Sequence, residues 1–262
     1  MVLDLLTFPG LTGPRRAIPG LVHGVTRRAG GVSVGGYASL NLGRSSGDDP
    51  AAVAENGRRV AAALGAVGRV RFPHQVHGRA VVVLDRPPDG PLPEADAVAT
   101  DVPGLAVGVL GADCPGVLVV DPVHRALAVV HSGWRGTVAG VLVAAIETLV
   151  ARYGSRPAEL RVAIGPGISA RRYEVGPDVV APFLEALPAA RPCVASGRGD
   201  RAYLDLAAAL RLQAHGAGVP DGQVEALDLC TFDGRDAFFS HRRDGAATGR
   251  HALVAMWAAP GA

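Results

Sequence analysis

Short apolar runs separated by polar or glycine-rich segments dominate the chain. Near its middle, the runs 105–110, 116–120 and 126–130 are branched and almost uncharged, as strands buried on both faces are. Further strands are predicted at 80–84, 160–164, 224–229, 238–240 and 251–257, and helices at 49–64, 136–153, 177–187 and 204–216. Strands and helices alternate without a clear linker, which predicts one α/β (α+β) domain over residues 1–262.

A turn signal joins the second and third central runs. Asp121-Pro122-Val123-His124 is typical of a tight turn, and a hairpin centred on it pairs residues whose numbers sum to 245. Cys114 would then face His131 across the ladder. Because Pro115 cannot donate to a central ladder, we expect pairing to stop near Gly116 and Cys114 to lie on the loop just beyond.

Cys114 and His131 are therefore candidates for chemistry. A lone cysteine beside an apolar run is usually a small core residue, and a lone histidine is usually a satisfied hydrogen-bonding group. Here both stand at strand ends among glycines and polar side chains. At cross-strand separation a thiolate and an imidazole can share one metal ion or exchange a proton.

Other polar segments flank these strands. In 71–78, RFPHQVHG, alternation predicts that Gln75 shares a face with His77, so that only one of His74 and His77 faces a given site. The segment 23–43 is interpreted as a long loop facing substrate. The segment 94–96 is interpreted as surface. His131 precedes a predicted helix start that, with Arg135, favours an anion.

Composition narrows the function classes. The 262 residues are 48% hydrophobic and 19% charged, so a large core can form, and a net charge of +2 does not suggest a nucleic-acid or membrane partner. All 26 lysine-plus-arginine positions are arginine, which excludes Schiff-base lysines and a Walker A loop and favours arginine forks as anion binders. Three cysteines, no signal peptide and no membrane-length apolar run predict a cytoplasmic protein.

Several motifs, in order along nearly the whole chain, resemble one family. They are HGVTRRAGGVS with SLNLG, HQVHG, GADCPGVLVVDP, HSGWRG, YEVG, CTFD and FFSHRRDGAATGRHA. This set resembles the polyphenol oxidase or laccase-domain family of YfiH-like bacterial proteins. The resemblance implies mixed sheets covered by helices, layered α/β/β/α, and a monomer. It also implies purine nucleoside phosphorylase activity, with adenosine deaminase activity, on adenosine, inosine, guanosine or methylthioadenosine.

The resemblance also implies a metal site. Its ligands fall on His77, Cys114 and His131, with Zn²⁺ as the usual metal and Cu²⁺ as the alternative. Two histidines and one cysteine leave one position open, as in catalytic zinc sites, so we expect all three residues to take part in catalysis. Zinc nucleobase deaminases likewise combine histidine and cysteine ligands.

The expected substrates are a purine nucleoside and phosphate. We assign phosphate contact to Arg28 and Arg135, base or ribose contact to Asn41 and Gln75, and proton transfer to Asp113. The chain has ADCPG, HSG and SHRRDG where the family commonly has ADCLP, HAG and SYRRDG. None of these differences removes a metal ligand.

Three alternatives stay open at this point, and one of them is a metal-binding or partner-docking module that is not an enzyme. Cys114 and His131 alone can form the nucleophile–base pair of a hydrolase or deamidase that needs no metal. A copper-dependent polyphenol oxidase is the third. Multicopper oxidation fits poorly because the eight histidines contain no His-x-His pair, although copper bound at the three-ligand site would allow slow oxidation.

Overall fold

A computed structural model describes residues 3–13 and 17–259. The strands, in chain order, are β1 (Leu21–Val25), β2 (Val81–Leu84), β3 (Ala97–Thr100), β4 (Val107–Gly111), β5 (Gly116–Asp121), β6 (Ala126–His131), β7 (Arg161–Ile164), β8 (Glu174–Val175), β9 (Val194–Ser196), β10 (Ala202–Leu204), β11 (Val224–Ala226) and β12 (His251–Trp257). The α-helices are α1 (Pro9–Thr12), α2 (Pro50–Leu64), α3 (Trp134–Ala139), α4 (Val141–Tyr153), α5 (Pro177–Ala186), α6 (Leu206–Gly216) and α7 (His241–Asp244).

The central layer is a six-stranded mixed sheet in the order β11-β7-β5-β6-β3-β2. Only its two outer pairs, β11 with β7 and β2 with β3, are parallel. Side chains of β5 alternate between the two faces, with Val117 and Val119 on one and Leu118 and Val120 on the other. Both faces are apolar because each is covered by another layer.

Four layers result from this burial. Helices α4 and α6 cover one face of the central sheet, and the sheet β1-β12-β4 packs on the other face through residues such as Leu253 and Trp257. Helix α2 covers the outer face of that second sheet through Val60 and Leu64. The predicted α/β/β/α layering is confirmed. A separate cluster joins α5 to the small sheet β8-β10-β9.

Helix α2 matches the helix predicted at 49–64. Pro50 begins the helix, and the Asp49 side chain accepts a hydrogen bond from the N–H of Ala51 (2.9 Å), as an N-cap does. Gly65 ends it in the left-handed conformation (φ 68°).

The predicted register of the central hairpin is wrong by two residues. Strand β5 pairs with β6 so that Gly116 faces His131 and Asp121 faces Ala126, a sum of 247 rather than 245. The Asp121 carboxylate accepts hydrogen bonds from the N–H groups of Val123 and His124, which stabilises a longer turn. A shift of two preserves which face each side chain occupies, and Cys114 does lie on the loop beyond the ladder.

The helix predicted at 136–153 is two helices. Gly140 takes a left-handed conformation (φ 77°), ends α3 and precedes α4. The segment 23–43 is not all loop, because His23 begins it inside β1. Residues 238–240 are not a strand: Ser240 caps the short helix α7 by accepting from the N–H of Arg243.

None of the helices within the described ranges is long and apolar enough to cross a membrane.

Buried His23 predicts a pH-dependent stability. Its Nε2 accepts the N–H of Phe8 (3.2 Å), so this nitrogen cannot carry a proton, and burial lowers the pKa of His23 to about 4. His23 takes up a proton near pH 6.5 in the unfolded chain, but only near pH 4 in the folded chain. His23 therefore makes its whole contribution to the free energy of unfolding above pH 6.5. This contribution is lost as the pH falls toward 4, and the loss is roughly 3 kcal/mol.

We expect His23→Gln to flatten this dependence in urea denaturation between pH 4 and 7. His74→Gln, at an exposed histidine, should keep the wild-type slope. Parallel loss of stability in wild type and His23→Gln would contradict the assignment.

Candidate metal centre

Three segments far apart in sequence converge at one end of the central strands. His77 lies on the loop before β2, Cys114 on the loop between β4 and β5, and His131 is the last residue of β6. Their donor atoms all lie within 4.8 Å of one another. His131 is buried, Cys114 half-buried and His77 exposed, so the cluster opens to solvent on the His77 side.

A buried carboxylate, Asp96, fixes two of these three residues. Its Oδ1 accepts the N–H of His77 (3.0 Å) and the Nδ1–H of His131 (2.8 Å). Its Oδ2 accepts the N–H groups of Val76 (3.1 Å) and Gly78 (2.7 Å). Since Nδ1 of His131 is engaged, Nε2 is the nitrogen left to face the cluster, an arrangement common behind metal-bound histidine.

The sequence interpretation of 94–96 as surface is wrong for Asp96. Glu94 is exposed, with Oε1 3.8 Å from Nδ1 of His74, whereas Asp96 has no exposed surface. Burial raises the pKa of Asp96, but hydrogen bonds from His131, Gly78 and Val76 outweigh it and lower the pKa below its usual range. The available signal was its position immediately before the apolar run Ala97-Val98-Ala99 of β3.

Gly133 makes room for the thiol. An added Cβ at this position would lie 2.5 Å from Sγ of Cys114 and 3.5 Å from Cδ2 of His77. The backbone of Gly133 is ordinary for any residue (φ −73°), so close approach, not conformational freedom, requires glycine here.

The cluster holds its thiol in the charged form. Burial raises the pKa of Cys114, but hydrogen bonds from His131 and His77 outweigh this and lower it to about 6. Burial likewise lowers the pKa of His131, and hydrogen bonds to Asp96 and Cys114 reverse the shift and raise it to about 9. At neutral pH Cys114 is then a thiolate and His131 an imidazolium. Metal binding would release the proton of His131 and leave a neutral imidazole as the ligand.

Asp113 anchors the loop that carries Cys114. Its carboxylate accepts the hydroxyl of Thr231 (2.7 Å) and the N–H of Arg242 (2.6 Å), and its carbonyl accepts the N–H of Ile168 (2.8 Å). It adopts a left-handed backbone (φ 91°), rare outside glycine. These contacts tie the Cys114 loop to α7.

The side-chain amides of Gln75 and Asn41 are bonded to other groups of the protein, and the Asn41 NH₂ donates to the side chains of Ser46 and Asp48. Gln75 donates to the carbonyl of Leu110 (2.8 Å) and accepts its N–H (2.7 Å), which joins the His77 loop to β4. Asn41 is fully buried, and its Oδ1 accepts the N–H groups of Gly43 and Arg250. As predicted, one histidine of the pair at 74 and 77 reaches the cluster, and it is His77.

The two predicted phosphate-binding arginines differ in setting. Arg28 is half-buried: its Nε–H donates to the carbonyl of Ala38 (2.6 Å), and its guanidinium lies 5.0 Å from the ring centre of Phe239. Arg135 is exposed, and its guanidinium lies 4.6 Å from the ring centre of Trp134.

Tyr173 and Arg250 also lie near the cluster and were missed by sequence reasoning. Burial raises the pKa of Tyr173, and the charges of Cys114 and Arg242 also act on it. The guanidinium of Arg242 lies 5.1 Å from the Tyr173 ring centre. Burial lowers the pKa of Arg250, which also senses the charge of Cys114. The available sequence signal was the position of these residues in two of the family-like motifs, YEVG and FFSHRRDGAATGRHA.

The donor set fits a metal ion. One thiolate and two imidazole nitrogens are ligands that zinc prefers, and the Asp96 carboxylate orients one imidazole from behind. Three protein ligands are the number found in catalytic zinc sites. Within residues 3–13 and 17–259 this is the one group of three or more such side chains able to hold an ion.

The fold and the cluster together define a mixed α/β protein in which two histidines and one cysteine, at the ends of the central strands, could hold a metal ion. Residues 22–258 match the family described as multi-copper polyphenol oxidoreductase laccase, and the chain belongs to this family.

Relatives with established names cover almost the whole chain. A purine nucleoside phosphorylase of Deinococcus radiodurans is 42% identical over 98% of this chain and 95% of its own length. One from Streptomyces coelicolor is 41% identical over 92% and 97%. Among solved structures, a Neisseria meningitidis DUF152 protein is 36% identical, with a TM-score of 0.85 over 99% of this chain and all of its own. YlmD from Geobacillus stearothermophilus is 32% identical, with a TM-score of 0.86 over 92% and 93%.

Replacement of Gly133 by alanine should disrupt the cluster without unfolding the protein. The new Cβ would displace Cys114, so we expect loss of stoichiometric zinc binding in titrations, with a nearly unchanged melting temperature. Gly216→Ala, at a helical glycine with open space around it, is the matched control. Full zinc binding by Gly133→Ala would contradict the close-approach argument.

Asp96→Asn should weaken both the site and the fold. An amide cannot accept four hydrogen bonds, and its NH₂ would face N–H donors. We expect zinc affinity to fall by about 10- to 100-fold and stability by about 2 kcal/mol or more. Competition with a chelator and urea denaturation measure the two effects. Glu94→Gln, two residues away and exposed, should change neither; equal effects of the two substitutions would refute the role of Asp96.

Proposed function

We propose that the chain is a purine nucleoside phosphorylase that carries zinc at His77, Cys114 and His131. The observation that carries the proposal is the convergence of these three donors within 4.8 Å of one another. Relatives at 41–42% identity that bear the phosphorylase name support the reaction.

The roles of the ligand residues follow from their settings. Zinc held by two histidines and a cysteine would keep a coordination position open and supply Lewis acidity at neutral pH. His77 presents its ring from the exposed side, where substrate arrives. His131 and Cys114 form the buried side, and Asp96 holds the tautomer and orientation of His131.

Phosphorolysis requires a bound anion and a departing base. A phosphate oxygen forms a bond to C1′ of the ribose while the C1′–N9 bond breaks, and its electron pair leaves with the purine, which takes up a proton. The products are ribose 1-phosphate and free base. We assign the phosphate to Arg28 and Arg135, because guanidinium forks bind phosphate oxygens in pairs. Arg250 and Arg242 add positive charge near Cys114.

The remaining predicted site residues act through the loops they hold. Asp113 and Gln75 each bind backbone groups that fix the Cys114 and His77 loops, and Asn41 binds Arg250. We propose that they position the site. Base or ribose contact by Asn41 and Gln75, and proton transfer by Asp113, stay predictions.

A nucleoside panel tests the proposal. Wild-type protein should release free base from inosine, guanosine, adenosine and methylthioadenosine only when phosphate is present, read by product chromatography. His77→Ala should lose at least about 100-fold in kcat/KM, within the range that loss of a transition-state interaction covers. His74→Ala, an exposed histidine of the same loop, should retain activity. Release of base by wild type without phosphate, or full activity of His77→Ala, would refute the proposal.

Adenosine deamination is proposed at the same site. Water adds at C6 of the purine and ammonia leaves, giving inosine, a reaction that zinc sites with histidine and cysteine ligands support. In phosphate-free buffer we expect inosine from adenosine with wild type and with His74→Ala but not with His77→Ala. Phosphorolysis without any inosine formation would remove deamination and leave the first proposal intact.

One observation favours a second candidate, a hydrolase or deamidase without metal. The lowered pKa of Cys114 and the raised pKa of His131 are those of an activated thiol–imidazole pair. In metal-stripped protein, alkylation at Cys114 should rise with pH and reach half its limiting rate near pH 6; Cys114→Ser corrects for other thiols. Wild type purified without zinc, but hydrolytically active and insensitive to His77→Ala, would favour this candidate over zinc chemistry.

Multicopper oxidation is not favoured, in spite of the family's description. The described residues hold one three-ligand group, and the sequence has no His-x-His pair. Copper at this group stays a prediction. The monomeric state and the cytoplasmic location also stay predictions.

A further inference from the structure

A cavity separate from the metal cluster lies against α2. It encloses about 480 Å³, within the range of small-molecule pockets. None of its lining residues belongs to the His77–Cys114–His131 cluster. Its lining comes from α2 and from the segments before and after it: Leu42, Arg44, Pro50, Val53, Ala54, Gly57, Arg58, Val60, Arg69, Val70 and Phe72.

The rim of this cavity is positively charged. Arg44, Arg58 and Arg69 are all exposed. Arg58 pairs with Glu55, but among the described residues neither Arg44 nor Arg69 has a carboxylate within ion-pair distance. No ion pair among the described residues therefore neutralises the charges of Arg44 and Arg69.

A fourth arginine adds to this field. Arg71 is half-buried and donates to the carbonyl of Gly90. Burial lowers its pKa, and the like charges of Arg69 and Arg44 lower it further, opposed by Asp89. Like charges held this close are unfavourable unless an anion lies among them.

The floor of the cavity is apolar. Val53, Val60 and Val70 are buried, and Phe72 is half-buried. An apolar floor with a cationic rim matches a ligand that has a flat or apolar body and a phosphate at one end. Guanidinium forks bind phosphate in pairs, and heteroaromatic rings stack on aromatic side chains.

We propose that this cavity binds a mononucleotide, with its base on the floor near Phe72 and its phosphate between Arg44 and Arg69. A ligand with only a charged group would leave the apolar floor uncovered, and a ligand with only an apolar body would leave Arg44 and Arg69 without an anion. The proposal does not depend on the reaction assigned to the metal cluster.

Calorimetric titration with IMP in phosphate-free buffer tests the proposal, with inosine and inorganic phosphate titrated separately. Inosine has no amino group at C6 and phosphorolysis needs phosphate, so neither proposed reaction interferes. We expect saturable IMP binding that weakens with salt. Inosine and phosphate are proposed substrates of the metal cluster, so any binding of theirs at that cluster should be the same in wild type and in the variant below. The double variant Arg44→Gln/Arg69→Gln should weaken IMP binding by about tenfold or more, as loss of charged hydrogen bonds does.

Two controls locate the site. Arg191→Gln, at an exposed arginine outside the cavity, and Cys114→Ser, in the metal cluster, should bind IMP as wild type does. Melting temperatures check that the double variant is folded, as expected for two exposed positions. Absence of saturable binding, wild-type affinity in the double variant, or loss of binding in Cys114→Ser would each overturn the proposal; the last would place IMP at the metal cluster.

Discussion

The candidate metal centre depends on the hydrogen bonds that the buried carboxylate of Asp96 accepts. Asp96 has no exposed surface, yet four N–H groups reach its two oxygens, three from the His77 loop and one from the ring of His131. A charge in that position is tolerable only because those donors replace water. The same bonds place two ligands from distant segments, so the fold and the site are stabilised by one group.

Much of the architecture could be predicted from local pattern. Branched, almost uncharged apolar runs located the central strands, and the helical pattern over 49–64, with Pro50 in its first turn, located α2, because each depends on neighbours in sequence. Cys114 and His131 stood out as polar residues at the ends of buried strands. Alternation indicated that only one of His74 and His77 faces the site, and the family resemblance chose His77.

The features that could not be predicted from the sequence depend on conformations and contacts that the folded chain sets. The hairpin register turned on two hydrogen bonds accepted by Asp121, and the break in the long helix turned on the left-handed conformation of Gly140. Asp96 looked like surface beside Glu94 because its partners lie about 20 and 35 residues away. Gly133 stands in the HSGWRG motif, but the motif does not show that glycine is needed there because a Cβ would meet Cys114.

X-ray absorption at the zinc edge, on the protein loaded with one equivalent of zinc, tests the central claim most directly. The account predicts one sulfur at about 2.3 Å and two imidazole nitrogens at about 2.0–2.1 Å, with a fourth light-atom ligand. A shell of nitrogen and oxygen without sulfur, or zinc bound without imidazole, would show that His77, Cys114 and His131 do not hold the metal together.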